Sequence, residues 1–196
     1  MKKGAVLFAA ALLVSFVFVS LCAAFEAPVI SLERVEVASI QPFFLKPRVD
    51  YKSEKEPGKD LAAGAILNLA YVFAVKNPNK APVMLDEITF TTAFDGFEVN
   101  TAFGYEDTWI PAGKTNQLRV VTTNETLPTL TSLMVGAASA QKMQEMKVTA
   151  GALVKKWWEN VGDFSFPIEV TAGTALFKDE KGKELRVTFS DKWPKK

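Results

Sequence analysis

Period-two alternation most narrows what this chain can fold into. Leu67, Leu69, Tyr71, Phe73 and Val75 alternate with Asn68, Ala70, Val72, Ala74 and Lys76. Successive side chains of a strand point to opposite faces, so this run has one large apolar face and one smaller one. Ile88, Phe90, Thr92 and Phe94 repeat the pattern, as do Phe97, Val99, Thr101 and Phe103. Asp95-Gly96 lies between those two runs. An Asp-Gly pair there predicts a hairpin, because the turn needs a positive φ that Gly supplies. Leu118, Val120 and Thr122 form a further strand after the turn at Pro111-Ala112-Gly113. Phe164, Phe166, Ile168 and Val170 begin a strand expected to reach Phe177. Lys181-Gly182 then turns the chain into Leu185, Val187 and Phe189, and residues 29–40 add one more strand of less clear phase. About seven strands with one apolar face each predict a mainly β fold, an antiparallel β-sandwich of two facing sheets.

One stretch departs from this rhythm. Between residues 127 and 162 the apolar spacing becomes helical. Leu130, Leu133, Met134, Ala137, Met143 and Met146 make one stripe, and Leu153, Val154, Trp157, Trp158 and Val161 a second. Thr126 is the expected N-cap, Pro128 falls in the first turn, and Gly162 is the expected stop. The sequence thus predicts a helical insertion ahead of the last hairpin, lying across an end or edge of the sandwich.

The first 24 residues read as an export signal or an anchor. Met1-Lys2-Lys3 precedes a run without charge from Gly4 to Phe25. Cleavage after Ala24 would leave small residues, Cys22 and Ala24, at −3 and −1. Two other readings compete. A run this long can span a bilayer and stay as an anchor. Cys22 is otherwise a candidate for lipidation, although Leu21 before it is bulkier than is usual for such sites. All three place residues 25–196, one domain, outside the cytoplasm. The stretch Pro47 to Lys59, rich in Lys, Glu, Pro and Gly, reads as a solvated loop.

Composition removes several function classes. The chain has 23 Lys+Arg against 22 Asp+Glu, too balanced for a nucleic-acid binder held by a basic surface. With one Cys and no His it has neither an internal disulfide nor a histidine triad, a His-ligated metal or a Cys-based zinc site. An apolar fraction of 48% is too high for intrinsic disorder.

From Val72 to Thr91 the sequence reads VFAVKNPNKAPVMLDEITFT, an alternating strand that ends in Asn77-Pro78-Asn79 and leads into a second strand. Trp109-Ile110-Pro111-Ala112-Gly113 follows as an apolar-Pro-x-Gly turn, and Gly173, Leu176-Phe177 and the Lys181-Gly182 turn come later in order. Together these features resemble the late embryogenesis abundant type 2 family, or WHy (water stress and hypersensitive response) domain, over about residues 30–126 and 164–190. The resemblance implies a fibronectin type III-like sandwich and a non-enzymatic role in stress protection. It implies no catalytic part for Asn77, Pro78 or Asn79. The 127–162 region is longer and more helical than the family pattern.

Other residues carry a bland and a sharp reading side by side. Trp157 and Trp158 are either core or a partner surface, since two indoles are costly to leave unused. Met134, Met143 and Met146 are either packing or an adaptable groove. Glu106-Asp107 and Asp179-Glu180 are expected in solvated turns. Asp86-Glu87 could offer oxygen ligands to Ca²⁺, but no spaced acidic loop accompanies it. Ser139-Ala140-Gln141-Lys142 matches a Ser-x-x-Lys spacing, yet falls in mid-helix. Asn124-Glu125-Thr126 is one glycosylation sequon. The sequence therefore leads to two expectations, neither of them enzymatic nor dependent on a cofactor or metal. One is a protective sandwich that contacts partly unfolded client proteins or a membrane surface. The other is a cell-envelope scaffold that docks a partner through 127–162. Nothing in the sequence fixes an oligomeric state.

Overall fold

The computed structural model describes residues 25–41 and 65–195. The N-terminal segment with Cys22 and the expected loop at 47–59 lie outside these residues.

Among the described residues seven strands form two antiparallel sheets. They are β1 (Val29–Ile40), β2 (Ile66–Lys76), β3 (Val83–Phe94), β4 (Phe97–Ile110), β5 (Thr115–Glu125), β6 (Ile168–Asp179) and β7 (Glu184–Trp193). One sheet has the order β1-β2-β5 and the other β4-β3-β6-β7. This is the antiparallel sandwich expected from the alternation, in the fibronectin type III-like form that the resemblance implies. The alternating runs become the inner faces. Leu67, Leu69, Tyr71 and Phe73 from β2 meet Ile88, Phe90 and Phe94 from β3 in one core. Ring pairs across the sheets, Tyr71–Phe90 at 5.3 Å and Phe73–Phe90 at 5.1 Å, adopt the edge-on geometry that aromatic quadrupoles favour. The Asp95-Gly96 hairpin forms as predicted, with φ of 50° and 74° at its two central residues.

The chain crosses from β5 to β6 through three helices: α1 (Thr126–Val135), α2 (Ala137–Met146) and α3 (Ala150–Asn160). The two expected stripes thus become three helices, because Gly136 takes extended geometry and separates α1 from α2. Thr126 opens α1 but is not its cap, a place taken by Glu125. The working side-chain cap is Thr149, which accepts the Ala152 N–H at 3.2 Å. Gly162 does not stop α3. A turn of 3-10 helix covers Val161–Asp163, and the chain reverses at Phe164 with φ 47°. That reversal removes Phe164 and Phe166 from β6, which starts at Ile168.

Candidate functional site

The Asn77-Pro78-Asn79 motif sits where β2 ends and knits three segments together. Asn77 is fully buried. Its amide donates to the carbonyls of Ala81 at 2.9 Å, Ile110 at 3.0 Å and Pro111 at 3.2 Å. Its Oδ1 accepts from the Asn79 N–H at 2.9 Å and from the Asn79 side chain at 3.0 Å. Asn79 in turn clips the N-terminal segment. Its Oδ1 accepts the Glu26 N–H at 2.8 Å, and its Nδ2 donates to the Glu26 carbonyl at 2.9 Å. Pro78 has no N–H to place between these bonds. The motif therefore satisfies the backbone where the strands stop pairing, as its structural reading requires.

At the opposite end the helices close the sandwich around Asp95. This residue begins the β3–β4 turn, and its Oδ2 accepts from Trp157 Nε1 at 2.8 Å and Lys156 Nζ at 2.7 Å. Lys142 Nζ donates to the Asp95 carbonyl at 2.8 Å and lies 4.4 Å over the Phe97 ring. Trp157 packs against Phe94 at 5.4 Å and Phe97 at 6.0 Å. Trp157 and Trp158 are 0% and 3% exposed. The partner-surface expectation for these two is therefore corrected: both belong to the core. Their spacing on α3 turns them onto one broad face, and that face meets the sheet ends. The exposed apolar side chains of the insertion are others. Met134 and Val135 are 65% and 77% exposed, with Leu127 and Met146 about half so. Buried Thr126, Thr129 and Leu133 form the inner face of α1.

The remaining candidates resolve into structural contacts. Asp86 pairs with Lys178 at 2.8 Å. That partner, followed by Glu184, holds the Lys178 ammonium above its usual range against a smaller desolvation effect. Asp179 Oδ1 accepts the N–H groups of Lys181 and Lys183, both at 2.8 Å, so it shapes the last hairpin turn. Glu106-Asp107 is not a turn but lies inside β4, beside a register shift against Leu85/Glu87. Lys142 of the Ser-x-x-Lys match is the ligand of Asp95 described above. Asn124 is buried in β5, and its amide faces Leu67 O at 3.4 Å and Thr122 Oγ1 at 3.3 Å. A glycan cannot be attached there in the folded protein. Burial pushes the Tyr71 phenol far above its usual range, with Thr92 and Thr122 pulling weakly the other way. Among the described residues no three acidic or thiol groups cluster as metal ligands, and no helix is long and apolar enough to cross a membrane.

Sequence reasoning passed over the edge of β4. Phe103 and Tyr105 are 61% and 74% exposed on its outer side, and Trp109 is half exposed. Alternation alone marks such residues as one face of a strand; only the strand order shows that β4 is an edge.

No family model matches the chain, and no curated protein matches its sequence. Among solved structures it is similar to Northeast Structural Genomics Consortium target SoR45, at 11% identity over 87% of this chain and 88% of that one, with TM-score 0.45. It is similar also to AT1g01470 from Arabidopsis thaliana, at 12% identity over 84% and 81%, with TM-score 0.45. At2g46140.1, described as a putative late embryogenesis abundant (LEA) protein, aligns at 9% identity over 96% and 82%, with TM-score 0.42. At these identities neither an activity nor a partner passes from those proteins to this chain.

Proposed function

We propose that this chain is a non-enzymatic, exported protein of the late embryogenesis abundant type 2 kind. It shields proteins or membranes by weak surface contacts during drying, freezing or heat. The observation that carries this reading is the Asn77-Pro78-Asn79 node. The residues that resemble the family motif make a coherent structure, in which the buried Asn77 amide holds a strand end and a turn, and Asn79 holds the N-terminal segment. A fold pinned in this way keeps its shape under stress, and its surface remains available to clients. Asp86, Asp95, Asp179 and Lys142 serve turns and ion pairs, which supports a reading without catalysis.

The test dries or freezes a labile enzyme with this protein, and in parallel with an equal mass of an unrelated stable β-sandwich. The expected result is recovery of activity well above that control at low molar ratio. Recovery equal to the control would sink the proposal.

The exposed Met134 and Val135 favour a second reading, in which an envelope partner docks on the 127–162 insertion. Replacing both by Ser and losing a partner from envelope pull-downs would select it.

A further inference from the structure

The fold distributes its sulfur unevenly. Among the described residues sulfur occurs only as methionine, since Cys22 lies outside them. Met84 is part-buried in β3, paired with Trp109 of β4 on one side and Lys178 of β6 on the other. Met134, Met143 and Met146 all fall on α1 and α2. Met143 packs against the core. Met134 and Met146 are 65% and 45% exposed.

Their surroundings give these two side chains weight. No Asp, Glu, Lys or Arg occurs from Thr126 to Gln141. The large apolar side chains that α1 and α2 expose are Leu127, Met134, Val135 and Met146. Two of these four are thioethers, so the apolar character of this surface depends on sulfur. The fold does not. No residue of α2 is buried, and the inner face of α1 is Thr126, Thr129 and Leu133. A change at either exposed sulfur therefore alters the surface without opening the core.

A thioether is a two-electron reductant. Its sulfur lone pair attacks one oxygen of hydrogen peroxide. The S–O bond forms as the O–O bond breaks, and the proton of the transferred OH goes to the leaving hydroxide. Methionine is oxidised to its sulfoxide and peroxide is reduced to water. A flexible apolar side chain becomes a polar, chiral one. The sulfur must meet the oxidant, so exposure ranks the sites: Met134 and Met146 precede Met143 and Met84.

We propose that Met134 and Met146 form a peroxide-oxidation site, where sulfoxide formation turns the apolar surface of α1 and α2 polar while the sandwich stays folded. Apolar contacts made through this surface are then strongest in the reduced protein, and a sulfoxide reductase with a thiol restores them. The inference stands apart from the protective role, which is read from enzyme recovery.

The test treats the protein with hydrogen peroxide and follows each methionine by peptide mass spectrometry. A dye that fluoresces on apolar surface is read in parallel. Met134 and Met146 are expected to gain oxygen on the order of tenfold faster than Met84. Dye emission should then fall by about half, as two of four exposed apolar side chains become polar, with the urea midpoint unmoved. Sulfoxide reductases of both epimer specificities, supplied with dithiothreitol, should restore it. Met134→Leu combined with Met146→Leu keeps the surface apolar without sulfur, and its emission should ignore peroxide. Met134→Gln combined with Met146→Gln should lower the emission without peroxide. These substitutions change exposed side chains, so both double variants fold. Oxidation of Met84 as fast as Met134 would overturn the proposal. So would emission unchanged once both sulfurs carry oxygen, a lowered urea midpoint at that stage, or a peroxide response that persists in the double Leu variant.

Discussion

At one end of the sandwich a single amide, Asn77, gathers loose backbone; at the other a single indole, Trp157, covers it. Both side chains are fully buried. The motif end is tied by the two N–H groups of one amide, shared among three carbonyls, and by its oxygen, which accepts from Asn79; no other side chain of that size offers both. The helical end is closed by area, with hydrogen bonds from Trp157, Lys156 and Lys142 to Asp95 added. The difference teaches that a short turn closes an end only if a polar side chain meets every stranded carbonyl, whereas a helix closes it by displacing water. The first solution is intolerant of isosteres and the second tolerant of them.

That contrast can be broken or sharpened by substitution. Trp157→Ala should cost the most, about 3–5 kcal/mol, as a large cavity opens beneath α3. Trp157→Phe should restore much of this in urea unfolding followed by circular dichroism. Asn77→Ala should cost about 3 kcal/mol, because buried carbonyls lose their donor. Asn77→Asp, nearly the same shape, should be no better. If it were, the directional account of that end would be wrong. Asp95→Ala comes next at about 1–2 kcal/mol, with Trp157 Nε1 unpaired and a positive φ left to Ala. Asp95→Asn, which keeps an acceptor and tolerates that φ, should cost less.

Ala138→Gly probes a smaller effect. No residue of α2 is buried, so this change should lower local helix stability by about 1 kcal/mol or less. Faster amide exchange should appear in 137–146, with the global unfolding midpoint nearly unmoved. The smallest effect is at Lys178. Its folded pKa is raised, so its contribution is present at neutral pH and fades as pH rises through its titration. Asp86→Asn should bring the Lys178 titration, followed by NMR, back toward the ordinary lysine range.

The strands were legible because alternation is a local signal that burial amplifies; large apolar residues alternate from Leu67 to Val75 in β2 and from Ile88 to Phe94 in β3. The hairpin at Asp95-Gly96 was legible because two consecutive positive φ values demand such a pair. What sequence left open depends on distant partners. Glu106-Asp107 looks like a turn, but β4 runs on past a bulge because β3 still pairs with it. Phe164, and not Gly162, takes the left-handed turn after α3. Trp157 and Trp158 kept two readings until the end of the sheet they cover was known. The β4 edge needs the strand order, which no run of residues encodes alone.

The clip between Asn79 and Glu26 has a mechanical consequence. Val29 pairs with Lys76 at the motif end and Ile40 with Leu67 at the helical end, so β1 leaves its clip pointing along the sandwich. The described C-terminal residues follow β7 out at the helical end, beside Ile168. Tension between the two termini would therefore act lengthwise on β1 and strain its whole ladder with β2 together, like a bolt in shear and unlike a zip drawn open from one end. The two bonds from Asn79 would yield first and leave the rest of the domain intact, so any pull on the N-terminal segment meets a fuse before it meets the fold.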